Sequence, residues 1–207
     1  MIVPLNDWVI HTACNQLHDW LQINPDMRVS VNLSARQLQN PDLPDQFKHI
    51  LSEAGIEGKS LIVEFPESAA MENFELTIRI LGEISTMGIQ ISLDDFGMHY
   101  SSLDYLKRFP VNSIKIDKSF IWNIPEDGED AAITRTIISV GHLLNKTVVA
   151  EGVESPRQLD FLHQHQCDAV QGFLYSQPQN SSAISAMLEN GSLLLPLIPG
   201  FPNDEIE

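Results

Sequence analysis

Apolar residues in this chain follow two alternating patterns. Short β-branched runs with nearly continuous apolar positions are separated by longer segments in which apolar residues return every third or fourth position. The runs predict strands at 29–33 (VSVNL), 61–65 (LIVEF), 89–96 (IQISLDDF), 113–117 (SIKID), 147–153 (TVVAEGV) and 169–173 (AVQGF). Leu43, Phe47, Ile50 and Leu51 mark one face of an intervening helix, Phe74, Ile78, Leu81 and Ile84 another, and Ile133, Ile137, Ile138 and Leu144 a third. A further helix precedes the first strand, with Val9, Ala13, Leu17 and Leu21 at every fourth residue. Gly55 and Gly88 stand where helices end in a left-handed residue, and Ser155-Pro156 reads as an N-cap followed by proline at the first helical position. Helix and strand alternate, so the strands are expected to be parallel. Continuous apolar strands between helices imply an α/β protein, either a doubly wound sheet or a barrel. The organisation expected is one domain over residues 1–191 and a proline-rich acidic tail over 192–207, with no low-complexity linker and no internal repeat.

Composition narrows the functional classes. The 207 residues are 43% hydrophobic and 19% charged, as in an ordinary globular domain. The net charge of −16 argues against bare electrostatic binding to polymeric nucleic acid or to an anionic membrane. A phosphorylated ligand would need cations to mediate its binding. There is no basic n-region of a signal peptide and no apolar run as long as a membrane span, so the expected location is the cytoplasm. Cys14 and Cys167 have neither a metal-ligand spacing nor a disulfide framework, and they read as buried or idle thiols.

The informative feature is where polar residues interrupt the strands. Asn32, Glu64, Asp94 with Asp95, Lys115 with Asp117, Glu151 with Glu154, and Gln171 all fall toward the carboxyl ends of predicted strands. In parallel α/β folds those ends are where sites are built. Any one of these residues alone is more simply a cap, a turn former or a solvated side chain. As a set they are different, because several carboxylates brought together need cations, and hard divalent ions take oxygen ligands.

The blocks VNLSARQL, EFPES, LDDFGMHYSSLDYLKRFPVNSIKIDKSFI, VVAEGVES and DAVQGF resemble, in order and spacing, those of EAL domains, the bacterial phosphodiesterases that open cyclic di-GMP. The resemblance runs from about Val3 to Pro178 and implies a modified TIM-like β/α barrel. It implies two divalent cations, Mg²⁺ or Mn²⁺, with Asn32, Glu64 and Asp94 as ligands of the first and Asp94 and Asp95 of the second. Lys115 would position the attacking water. Glu151 and Gln171 would support the water and the second ion, with Gln171 on the substrate side. Glu67 would secure the loop after DDFG. Arg36 and Gln37 would touch ligand phosphate or base, or equally suit the first turn of the next helix, and Asp117 and Glu154 stay open between structural and site roles.

Two departures from the family pattern matter. The Glu-Ala-Leu strand that names the family is not in the chain: the only Glu-Ala, Glu53-Ala54, lies in a predicted helix. About six of the eight barrel strands are therefore expected, in a fragment or a truncated chain. Met98-His99 stands where the family commonly has Thr-Gly, in a loop that contributes to dimer contacts in the family; His99 is either a metal ligand or a solvated loop histidine. The resemblance thus implies hydrolysis of cyclic di-GMP to linear pGpG, impaired in the chain as it stands. The alternative is a degenerate domain that binds the dinucleotide or a protein. Implied partners are cyclic di-GMP, a second copy through the loop after Asp95, and fused upstream signalling domains.

Overall fold

The structure is a computed structural model and describes residues 2–98 and 103–191. Helix α1 (Ile2–Leu21) leads into β1 (Val29–Asn32), followed by the short α2 (Ala35–Leu38) and α3 (Leu43–Ala54). Then come β2 (Leu61–Pro66), α4 (Glu67–Met71), α5 (Phe74–Ser85), β3 (Gln90–Phe96), α6 (Leu103–Arg108) and β4 (Ser113–Ile116). The described chain finishes with α7 (Gly128–Leu143), β5 (Thr147–Glu151), α8 (Pro156–Gln164), β6 (Ala169–Gln171) and α9 (Ser181–Glu189).

The six strands form one parallel sheet in the order β1-β2-β3-β4-β5-β6, curled into a half-barrel. Every crossover moves one position in the same direction, and a doubly wound sheet would reverse. This decides between the two architectures that periodicity left open. Among the described residues β1 and β6 each have a single strand neighbour.

Local chemistry accounts for the boundaries. Gly55 (φ 65°) ends α3 in the left-handed conformation, its N–H bonded to the Leu51 carbonyl. Ser155 caps α8 with Pro156 behind it, and Gln158 closes a capping box. Two strands end two residues before their apolar runs do. β5 stops at Glu151 because Gly152 turns to φ +72°. β6 stops at Gln171, where Gly172 presses so closely on Val153 that a Cβ would lie 2.1 Å from the Val153 carbonyl oxygen.

Packing sorts the strand residues by alternate positions. Val63, Phe65, Ile91, Leu93, Ile114, Ile116, Val148 and Ala150 point outward beneath the helices and are buried. Helix α7 lies so near this layer that a Cβ on Gly141 would meet Val148 Cγ2 at 2.3 Å. The buried faces of α3 and α5 include Phe47, Ile50 and Leu51, and Leu81 and Ile84, as the periodicity predicts. On α7 the predicted Ile133 is exposed; Thr134, Ile137 and Ile138 make the buried face, the Thr134 hydroxyl donating to the Phe120 carbonyl.

Helix α1 differs in register. Ile10, Cys14 and Leu17 are buried against α3 and β1, while the predicted Val9 is 41% exposed beside Trp8 at 64%. Both stripes are apolar, so spacing alone does not choose between them. Both cysteines are buried free thiols, pushed by burial to a pKa of about 11 for Cys14 and about 12 for Cys167. No helix among the described residues is long and apolar enough to cross a membrane.

Candidate active site

The inward face of the half-barrel holds a polar column. At the lower level the Ser113 hydroxyl of β4 donates to Ser92 of β3 at 2.9 Å, with Ser92 2% exposed. Two residues further along each strand stand Asp94 and Lys115, and their neighbours at that level are Glu64 on β2 and Glu151 on β5. Sheet curvature and period-two alternation thereby direct four strand ends at one point.

Lys115 is the centre of that point. Its side chain is 5% exposed, and its Nζ donates to Glu64 Oε2 at 2.6 Å, pairs with Glu151 Oε1, and lies 3.9 Å from Asp94 Oδ1. Burial opposes charging of the lysine, but Glu151 and Glu64 outweigh it and leave the pKa above the ordinary lysine range. The ammonium is a permanent charge at neutral pH. Asp94 behaves oppositely: burial pushes its carboxyl up to about 6, Lys115 pulling it down and Glu151 adding to the rise. Three carboxylates share one cation, so negative charge is in excess.

The adjacent aspartates of the sequence are explained by a break in the ladder. The β3–β4 register shifts between Leu93 and Phe96, and Asp95 adopts φ 55°. In a regular strand consecutive side chains face opposite sides. A bulge with a left-handed residue re-aims one of them. Asp is among the few non-glycine residues that tolerate this conformation. The Asp95 N–H turns back to donate to Asp94 Oδ1 at 2.9 Å, and Gly97 follows at φ 99°.

The remaining predicted residues are distributed unevenly. Asn32 is exposed at the end of β1, in register with Glu64, and Gln171 is exposed at the end of β6, in register with Glu151. Glu67 is buried at the start of α4. Gln37 is 1% exposed and engaged elsewhere: its Oε1 accepts from Asn6 Nδ2 and from Ser34, and its Nε2 donates to Asp7 on α1. It ties α2 to α1, while Arg36 beside it is exposed. Asp117 caps the turn Lys118–Phe120, accepting from the Ser119 N–H at 2.9 Å. Glu154 is exposed, its N–H bonded to Gln158 Oε1. His99 lies outside the described residues, and Met98 is 51% exposed with its sulfur accepting from the Ser119 hydroxyl at 3.2 Å.

Ser92 and Ser113 were not among the predicted site residues, although they stand two positions before Asp94 and Lys115, and the strand period points to them. As they stand, no three His, Cys, Asp or Glu side chains among the described residues form a group that could hold a metal ion. The carboxylates are instead drawn onto the Lys115 ammonium.

The comparisons with known proteins agree with this geometry. The EAL domain profile matches residues 1–178. The chain is 41% identical over 189 residues to the cyclic di-GMP phosphodiesterase NbdA of Pseudomonas aeruginosa, covering 91% of this chain and 24% of that protein. It is 39% identical over 183 residues to the cyclic di-GMP phosphodiesterase PdeR of Escherichia coli, covering 88% of this chain and 28% of that protein. The chain thus spans about a quarter of the length of these curated relatives. Among solved structures, the PaMucR phosphodiesterase in its c-di-GMP complex is similar at TM-score 0.85 and 41% identity, over 88% of this chain and 74% of that chain. The EAL domain of Mycobacterium smegmatis DcpA is similar at TM-score 0.85 and 33% identity, over 90% and 85%. With the half-barrel, the strand-end carboxylates and the matched profile in agreement, this chain belongs to the EAL domain family.

Proposed function

We propose that this chain is an EAL-type domain for hydrolysis of cyclic di-GMP to linear pGpG, with turnover impaired by the missing Glu-Ala-Leu strand. The observation that carries the reading is the convergence of Glu64, Asp94 and Glu151, from three different strands, on the buried Lys115 in a chain so similar to named cyclic di-GMP phosphodiesterases. In the reaction a water oxygen forms a bond to phosphorus, the P–O3′ bond breaks, and the proton lost by the water is balanced by the one gained at O3′.

In chemistry, though not in their present positions around Lys115, the donors suit divalent cations. They are hard oxygens with negative charge in excess, and burial already disfavours the charged form of Asp94. Asn32, Glu64, Asp94 and Asp95 would hold Mg²⁺ or Mn²⁺. When bound, such ions lower the pKa of water from 15.7 toward ~7 and polarise the phosphodiester. Lys115 has a different task. Its raised pKa makes it unsuited to act as a base, so it acts as a fixed positive charge that orients the attacking oxygen and holds Glu64 and Glu151 in place. Gln171, Arg36 and Glu67 belong to the binding and support roles of this reading. Gln37 acts through the α1–α2 junction. A dimer through the loop after Asp95, which extends beyond the described residues, and fused signalling domains are the partners the same reading expects.

The test is incubation of the chain with cyclic di-GMP and Mn²⁺, followed by chromatography. Release of pGpG that a chelator stops, and that Glu151→Gln lowers at least ~10–100-fold, supports the reading. Binding of cyclic di-GMP with no pGpG formed contradicts it.

A further inference from the structure

Two exposed aromatic side chains stand at the rim of the site, and the chemistry above uses neither. Trp122 is 51% exposed and Phe173 56%. A single exposed aromatic residue needs no explanation. These two line one pocket of about 270 Å³, together with Lys118, Gly152, Gln171 and Glu151. Glu151 belongs both to this pocket and to the Lys115 cluster, so the pocket opens beside the groups that would act on the phosphodiester. Its volume falls just under the ~300–1,000 Å³ of sites for drug-sized ligands, which suits one heterocycle rather than a whole dinucleotide.

The tryptophan is held in place. Lys118 Nζ lies 5.3 Å from the centroid of its ring, a cation–π distance. Gln158, 6% exposed, donates from Nε2 to the carbonyls of Ile121 at 3.1 Å and Trp122 at 3.2 Å. At Gly152 a Cβ would lie 2.6 Å from Lys118 Cβ and 3.3 Å from Trp122 Nε1, so only glycine lets the end of β5 pass so close to the pair. The Ser119 hydroxyl, in the same turn, donates to Met98, three residues after Asp95. Trp122 is therefore anchored on several sides and still presents half of its surface.

We propose that Trp122 is a base-stacking residue, which receives a purine base of the dinucleotide while Lys118 holds the ring and brings positive charge to a rim otherwise lined by Glu151 and Glu154. The inference rests on the phosphodiesterase reading and adds a determinant of substrate recognition to it. Stacking suits this position because a purine presents a π-face whatever its edge substituents, and the indole is the strongest aromatic partner for the neighbouring cation.

The test is titration of the 207-residue chain with a hydrolysis-resistant phosphorothioate analogue of cyclic di-GMP in the presence of Mg²⁺, followed by calorimetry and by tryptophan emission. Stacking quenches the emission of Trp122. Trp122→Ala should weaken binding by roughly 5- to 150-fold, the range of one base–aromatic stack. Trp122→Phe should bind within about threefold of the parent, since a phenyl ring also stacks, yet lose the quench, because Trp8 and Trp20 lie on α1. A purely structural role for Trp122 would not separate affinity from quench in this way. Equal affinity of the parent and Trp122→Ala overturns the inference and leaves the phosphodiesterase reading standing. A quench that survives in Trp122→Phe also overturns it. A parent chain that does not bind the analogue overturns both.

Discussion

Strands β2 to β5 carry opposite contents on their two faces, although the residues concerned alternate along the same few segments. Outward, Val63, Phe65, Ile114, Ile116, Val148 and Ala150 are wholly buried aliphatic or aromatic side chains beneath helices. Inward, Glu64, Ser92, Asp94, Ser113, Lys115 and Glu151 form a polar column, buried at Glu64, Ser92 and Lys115 and half-buried at the other three. The outer face gains from burial at about 25 cal/mol per Å² of apolar surface. The inner face gains only if its charges are paired. One face is therefore fixed by volume and the other by charge balance, and substitutions should distinguish them.

The largest effect is expected at the charge that balances the inner face. Lys115→Met leaves Glu64, Asp94 and Glu151 facing one another, and breaking a buried pair of this kind costs about 3–5 kcal/mol. Urea unfolding should show that loss, and turnover should fall with it. The loss should also depend on pH. A carboxyl raised to about 6 in the folded state, against its ordinary 3.8, binds more protons folded than unfolded, and its penalty fades as pH falls through that window. Stability of Lys115→Met relative to the parent should therefore improve from pH 8 toward pH 5. A constant difference would mean that the carboxylates do not sense the lysine.

On the outer face Phe65→Ala should cost about 3–4 kcal/mol through the cavity left beside Phe109, whose ring centroid lies 6.1 Å away. Its loss should be independent of pH between 5 and 8, which is what separates it from Lys115→Met. Ser113→Ala tests the floor of the polar column. Ser92 loses its donor, at about 1 kcal/mol, and again no pH dependence is expected. The smallest effect concerns the two thiols. With pKa values raised to about 11 and about 12, Cys14 and Cys167 should resist alkylation at pH 8 until the chain unfolds. Rapid labelling of either in the native protein would show that its surroundings open.

Much of this was legible in the sequence because the relevant signals are local. Glu64, Asp94, Lys115 and Glu151 each stand at the polar end of an apolar run, and Gly55 and Ser155-Pro156 are stop and start signals within one turn of the helix they control. What spacing could not show depends on neighbours distant in the chain. Gln37 has a site-like motif around it, yet its amide is taken up by Asn6 and Asp7, some thirty residues earlier. On α1 two apolar stripes compete, and only the position of α3 and β1 decides for Ile10 and Cys14 over Val9 and Ala13. The left-handed turn at Asp95 comes from a slip in β3–β4 pairing, a property of two strands together. The exposure of Trp122 and Phe173 is likewise invisible to a pattern that counts them simply as apolar.

The inner face of β2–β5 is an anionic centre, and the proposed function requires a divalent cation to meet its excess charge. Calorimetric titration with Mn²⁺ of the parent chain and of Asp94→Asn tests this most directly, because Asp94 is the carboxylate that burial penalises and Lys115 compensates least closely. The predicted result is measurable binding by the parent and at least ~10-fold weaker binding by Asp94→Asn. Equal affinity in the two proteins would place the cation elsewhere and contradict the account.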